Sequence, residues 1–322
     1  MKFDPATGAA VPALGASDIL AQVPALGEVS DVEVEEFSRL PGPHVTPDHM
    51  WRLARRAAAW LDRPDVDGLV ITHGTDTIEE TAFLLYLVLV SDKPVVLVGS
   101  MRTISDPSWD GPGNLLAAAR VAAAPVSRGY GVLVVMDEQI LPAREVRKVH
   151  TESSGAFATP EFGPLGVVDA GTVLYRRGPV PRPSWIQADA GEGLRVRQLD
   201  QRVDLVHTYV GMTARGLERA LDPDARGAAL VAFGRGNVPP EVVPAIAAAV
   251  KHGTLVTISS RCIAGRVGPR YGYAGGAQQL QQIGAILAGG VSGAKARLLQ
   301  MVALGGTGSA EEAKSLVSAI VN

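Results

Sequence analysis

The sequence predicts an α/β protein of two domains, a larger N-terminal doubly wound, mostly parallel sheet domain and a smaller C-terminal α/β domain. Three observations point there. Apolar runs near 67–73, 94–100 and 130–137 alternate with helical patterns at 79–90 and 112–123, which is the rhythm of βαβ units. The runs are apolar throughout, as in strands covered on both faces. A proline- and charge-rich stretch then separates this alternation from a second, shorter one. The resulting division is a domain over 1–180, a linker over 181–203 and a second domain over 204–322.

Taken in order, residues 1–30 carry turn residues and one short helical pattern, Ala16 to Val23. Val32-Glu33-Val34-Glu35-Glu36-Phe37 alternates and predicts a strand. Pro41 to Pro47 is a loop, and Thr46 or Pro47 starts a helix that runs to about Leu61. The three parallel-type strands and their helices follow. After Lys148 the pattern turns hairpin-like through Phe157, Gly166-Val167-Val168 and Val173-Leu174-Tyr175. In the second domain, strands are expected near 204–209, 228–233 and 254–259, with helices near 213–220, 240–251, 276–288 and 293–304.

Apolar residues make up 47% and charged residues 20% of the 322, a globular balance. The formal charge of −3 gives no electrostatic reason to bind nucleic acid. No run of 18 apolar residues appears, so no transmembrane helix is expected. Met1-Lys2-Phe3-Asp4-Pro5 is not a secretory signal, and the expected compartment is the cytoplasm, subject to any upstream extension. Cys262 is the only cysteine, which excludes an intrachain disulfide, and its apolar neighbours predict a small buried side chain. The 6 histidines form no metal-ligand spacing, and no metal site is expected.

The chemistry concentrates at Ile71-Thr72-His73-Gly74-Thr75-Asp76-Thr77-Ile78-Glu79-Glu80-Thr81. Here an apolar strand ends in a polar turn that opens a helix, placing the turn at the carboxyl edge of the sheet, where open α/β sheets bind ligands. Thr77 with Glu80, or Asp76 with Glu79, fits a capping box. One cap needs one residue, however, and this turn offers three. With Thr77 as the cap, Thr75 and Asp76 point into the cleft at the positive end of the helix dipole. Gly74 beside them permits close approach of a substrate. Ser100, after Gly99 at the end of the next strand, either lines the same edge or caps locally.

The segment resembles the second signature of the bacterial-type L-asparaginases and glutaminase-asparaginases. The resemblance continues through Lys93 to Arg102, Asp110-Gly111-Pro112-Gly113-Asn114-Leu115, Tyr130 to Met136, Ala143 to Thr151, Ser259-Ser260-Arg261-Cys262 and Lys295-Ala296-Arg297-Leu298. It is collinear over nearly the whole chain. It implies hydrolysis of the side-chain amide of L-asparagine to L-aspartate and ammonia through a threonine acyl-enzyme. It also implies a catalytic group of Thr75, Asp76 and Lys148, no cofactor, a small amino-acid amide as substrate, and a homotetramer built as a dimer of dimers. A threonine hydroxyl is a weak nucleophile that needs a base, and a lysine whose charge is disfavoured supplies one.

Three departures stand out. The family's first strand and its Thr-Gly-Gly-Thr turn, with the threonine usually assigned as nucleophile, have no counterpart here. A start site placed too late is the expected cause, and the 322-residue chain is expected to be impaired. Gly42 stands where relatives often carry a serine for the substrate carboxylate, leaving the preference between asparagine and glutamine open. Arg235, in Gly234-Arg235-Gly236-Asn237, is the nearest match to a polar residue that relatives extend across a dimer interface. The competing expectation is a non-catalytic homologue that binds aspartate or a similar amino acid. A dinucleotide-binding reading fails for want of a complete Gly-x-Gly-x-x-Gly turn after the first strand.

Overall fold

A computed structural model describes residues 1–11, 14–181, 193–217, 220–221 and 224–321. The chain divides into two compact units, Met1–Pro181 and Arg182–Asn322. Of the expected linker, residues 182–192 lie outside the described residues.

The first unit opens with a hairpin of β1 (Lys2–Asp4) and β2 (Ala9–Val11), then α1 (Ala16–Ala21) and α2 (Pro47–Leu61). Thr46 caps α2 by accepting the His49 N–H at 3.2 Å, and Pro47 occupies the first turn, where a missing N–H costs nothing. There follow β3 (Leu69–Thr72), α3 (Ile78–Val88), β4 (Val95–Val98), α4 (Gly111–Ala123), β5 (Val132–Met136) and β6 (Gln139–Pro142). A ribbon of β7 (Arg147–Lys148) and β8 (Phe157–Ala158) and a hairpin of β9 (Gly166–Asp169) and β10 (Thr172–Tyr175) complete it.

The six-stranded sheet has the order β10-β9-β6-β5-β4-β3. Strands β3, β4 and β5 are parallel, as the βαβ rhythm predicts. The rest join antiparallel, so the sheet is mixed. The reversal is made by Asp137 and Glu138, whose φ angles of 50° and 61° make the tight left-handed turn of a two-residue hairpin. The fully buried face of α3, from Ile78 to Val88, explains why its sequence is apolar almost all round.

The expected strand at 32–37 does not form. The segment carries no strand pairing, and Val32, Val34 and Phe37 are exposed. Alternation licenses a strand only where a ladder partner exists. Here the acidic residues are drawn instead to α2 and the turn after it: Glu33 pairs with Arg63 at 2.8 Å, and Glu35 with Arg56 at 2.7 Å and Trp60 Nε1 at 2.6 Å. Among the described residues β3 is the outermost strand, with no neighbour on its outer edge.

The second unit is a parallel sheet of β11 (Val203–His207), β12 (Gly227–Ala232), β13 (Leu255–Ser260) and β14 (Ile286–Leu287). Its helices are α5 (Val243–Lys251), α6 (Ala277–Gln282), α7 (Gly293–Gly306) and α8 (Ala310–Val321). The helix expected over 276–288 stops at Gln282, because Gly284 has φ 101°, a left-handed conformation that ends helices. The chain then supplies β14. Cys262 is exposed, contrary to expectation, because β13 ends at Ser260 and the cysteine sits in the bend beyond it, its N–H donated to Ser260 Oγ. No helix among the described residues is long and apolar enough to cross a membrane.

Candidate active site

The parallel register of β3 on β4 brings the ends of both strands to one edge. His73 N–H donates to Val98 O at 2.8 Å, locking the start of the polar turn to the end of β4. Thr75, Asp76 and Thr77 form the turn between β3 and α3. From a distant part of the chain, β7 delivers Lys148. Its Nζ lies 3.0 Å from Thr75 Oγ1 and 2.6 Å from Asp76 Oδ1. The lysine side chain is 17% exposed and the aspartate 59%, so the amine is enclosed while much of the carboxylate faces solvent. The structure thus unites all three residues expected to carry the chemistry.

The turn does not spend its hydroxyls on capping. Thr77 occupies the N-cap position of α3 but makes no side-chain cap bond. Its Oγ1 donates to Gly42 O at 2.9 Å. Gly42 is therefore fastened to the turn through main chain. A Cβ on Gly42 would sit 3.4 Å from both Asp76 Cβ and Thr77 Oγ1. Gly74 packs on it: a Cβ there would lie 2.9 Å from Gly42 Cα and N. The close approach that Gly74 permits is thus that of the Gly42 backbone.

Ser100 is placed at the same edge, after Gly99, whose hypothetical Cβ would touch Thr75 Cγ2 at 3.0 Å. Its hydroxyl accepts Trp109 Nε1–H at 3.4 Å. Asp110 holds this loop by accepting the N–H groups of Met101 and Arg102, each at 3.0 Å. Arg235 belongs to the second unit, exposed in the turn after β12, with its carbonyl accepting Gly268 N–H at 3.1 Å. Asn237 caps α6: its Oδ1 accepts the Ala277 N–H at 3.3 Å. Among the described residues no group of three acidic, histidine or cysteine side chains is arranged to hold a metal.

Two residues of the signature have partners that local patterns do not reveal. His73 Nδ1 lies 2.8 Å from Gly74 O, and its Nε2 lies 2.9 Å from Thr81 Oγ1. A carbonyl only accepts, so Nδ1 carries the proton and Nε2 accepts from the threonine. Glu79, in the first turn of α3, accepts the Lys148 main-chain N–H at 2.5 Å. The only signal for either in the sequence is membership of the signature itself.

Two family models span the chain, "Asparaginase, N-terminal" over residues 1–181 and "Glutaminase/Asparaginase C-terminal domain" over residues 202–317. The chain belongs to the asparaginase family. A probable L-asparaginase of Deinococcus radiodurans is 45% identical over 287 residues, covering 87% of this chain and 84% of that protein. A glutaminase-asparaginase of Pseudomonas fluorescens biotype A is 33% identical, covering 93% and 80%. The solved structure of a probable cytoplasmic L-asparaginase from Campylobacter jejuni superposes with a TM-score of 0.82 at 30% identity, covering 93% of this chain and 92% of that one. The asparaginase family therefore accounts for both units.

Burial holds the His73 pKa of this asparaginase-family site below its ordinary value, against the opposing pull of the Gly74 carbonyl. The unfolded state then binds the proton more readily than the folded one, so protonation favours unfolding. The contribution is complete above about pH 6.5, the unfolded value, and is lost as pH falls below it. The urea midpoint is expected to drop between pH 7.5 and pH 5.5, and to drop less in His73→Gln. Equal pH dependence in the two proteins would remove His73 from the account.

Proposed function

We propose that this chain is an amidohydrolase that converts L-asparagine to L-aspartate and ammonia through a threonine acyl-enzyme, without a cofactor. The observation that carries the reading is the amine of Lys148 held between Thr75 Oγ1 and Asp76 Oδ1. In the neutral form that amine takes the Thr75 hydroxyl proton, Thr75 Oγ1 in turn takes the proton of the acylated threonine on the first strand, and the freed oxygen of that threonine adds to the amide carbon. The C–N bond breaks, ammonia leaves with the proton returned by the lysine, and the acyl group stays on the threonine oxygen. Water then adds, passes its proton to the same relay and releases aspartate. The solvent-facing part of Asp76 suits the α-ammonium of an amino-acid substrate. Gly74, Gly42 and Ser100 border the turn where the substrate would bind.

The reading includes a first strand with a second threonine on the sheet. Such a strand would have a place to pair on the edge of β3, which has no neighbour among the described residues. It also includes a homotetramer in which Arg235 reaches a neighbouring copy. Exposed Tyr209, Val210, Tyr271 and Tyr273 on the second unit suit burial by such a copy.

The test is ammonia release from L-asparagine and L-glutamine by the 322-residue chain and by a chain extended upstream through a strand and a Thr-Gly-Gly-Thr turn. The extended chain is expected to turn over asparagine and the shorter one to be strongly impaired. Equal rates would make Thr75 the acylated residue. Two inactive proteins that still bind aspartate would support a non-catalytic amino-acid-binding protein instead.

A further inference from the structure

Lys148 is not carried by the main sheet. It sits on β7, two residues long, whose only strand partner among the described residues is β8. Thr75 and Asp76 are carried by the turn between β3 and α3. A hydrogen bond between a lysine and a threonine 73 positions apart holds only if something fixes the two pieces of backbone relative to each other. The long lysine stem cannot do this, because its rotamers are free unless its main chain is fixed.

We propose that Glu79 is a positioning residue that fixes the main chain of Lys148 against the threonine-bearing turn, so that the amine meets Thr75. Its carboxylate, on the first turn of α3, spans the gap. Oε2 accepts the Lys148 N–H at 2.5 Å, and Oε1 lies 3.5 Å from Arg147 Nε. Adjacent residues of β7 are thus gripped by the two oxygens of one side chain. The side chain is 14% exposed, which limits competition from water. The N-terminus of an 11-residue helix favours negative charge there, and Arg147 balances it, so no uncompensated charge is added beside the amine. Reading Glu79 as a partner in a capping box does not explain the contact, since its carboxylate is turned to β7.

The proposal rests on the asparagine-hydrolysis reading for its kinetic arm only. Glu79→Ala removes the grip, while Glu79→Gln keeps an oxygen that can accept the Lys148 N–H. In the faster of the two chain lengths, Glu79→Ala is expected to lower kcat by about 10- to 100-fold, the usual result of a misplacement near 1 Å, with KM little changed. Glu79→Gln is expected to recover most of that loss. Independently of turnover, acetylation of Lys148 by acetic anhydride, read by peptide mass spectrometry, is expected to rise severalfold in Glu79→Ala. It should stay near the parent level in Glu79→Gln, with Lys251 as internal reference. Unchanged kcat and labelling in Glu79→Ala would overturn the proposal, as would a glutamine variant as impaired as the alanine one. If the parent protein releases no ammonia, the functional reading fails, and the labelling result alone decides the role of Glu79.

Discussion

In the faster of the two chain lengths, replacing Lys148 by methionine is expected to lower ammonia release from asparagine by about 10³-fold or more while leaving the fold in place. The rate effect follows from the geometry. The Lys148 amine is the only basic group in contact with Thr75 Oγ1 among the described residues, and without it the hydroxyl proton has no acceptor. General-base assistance contributes about 10²–10⁴-fold, and activation of the nucleophile depends on the same group. The fold is spared because the anchoring of β7 is main chain. The pairing with Phe157 and the bond from the Lys148 N–H to Glu79 do not involve the amine. Methionine has similar length and no charge. The lost ion pair has one partner largely in water, and such pairs contribute about 0–1 kcal/mol. Steady-state kinetics with a urea titration check both halves. A variant that retains a tenth of the parent rate would remove Lys148 from the catalytic group.

The second large effect is expected from Gly74→Ala. Its added methyl would lie 2.9 Å from Gly42 Cα and N, a distance that real Cβ atoms do not tolerate. The obstacle is backbone, not the tip of a flexible side chain, and Gly42 is flanked by Pro41 and Pro43, whose fixed φ angles stiffen it. The two segments must part. That motion also pulls on the bond from Thr77 Oγ1 to Gly42 O and shifts the turn that carries Thr75. Forced overpacking typically costs about 1–3 kcal/mol. The accompanying displacement of Thr75 is expected to cost about 10²-fold in kcat. Gly113→Ala is the control. Nothing lies within 4 Å of its hypothetical Cβ in α4, and alanine is the better helix former by about 1 kcal/mol. Melting curves and kinetics for the pair should separate clearly. Equal behaviour would show that the Gly42–Gly74 packing does not constrain the turn.

The parallel strands and the helices between them are legible in the sequence because they leave unbroken apolar runs, which in β4 and β5 are buried throughout. The types of residue in the candidate site are legible too, since few residues combine a hydroxyl, a carboxylate and a helix start in so short a turn. What the sequence could not disclose is partnership across distance. Alternation at 32–37 looks the same whether or not a neighbouring strand exists, and here Arg56, Trp60 and Arg63 claim the acids instead. Capping-box spacing at Asp76, Thr77, Glu79 and Glu80 is equally ambiguous. The hydroxyl of Thr77 goes to Gly42 and the carboxylate of Glu79 to β7, choices fixed by segments 35 and 69 positions away. The exposure of Cys262 depended on where β13 stops, a boundary that apolar neighbours do not mark.

The smallness of the β7–β8 ribbon has a practical consequence. Its ladder joins two residues to two, supplemented by one bond from Val149 N–H to Ala156 O at 2.7 Å, whereas the six-stranded sheet is tied together over its whole width. Parts of a protein with few ladder bonds open at far lower free energy than its core. A preparation can therefore lose its working arrangement while its spectra still report an intact protein. Storage life and melting temperature become separate properties, and a buffer chosen to raise the second has no necessary effect on the first.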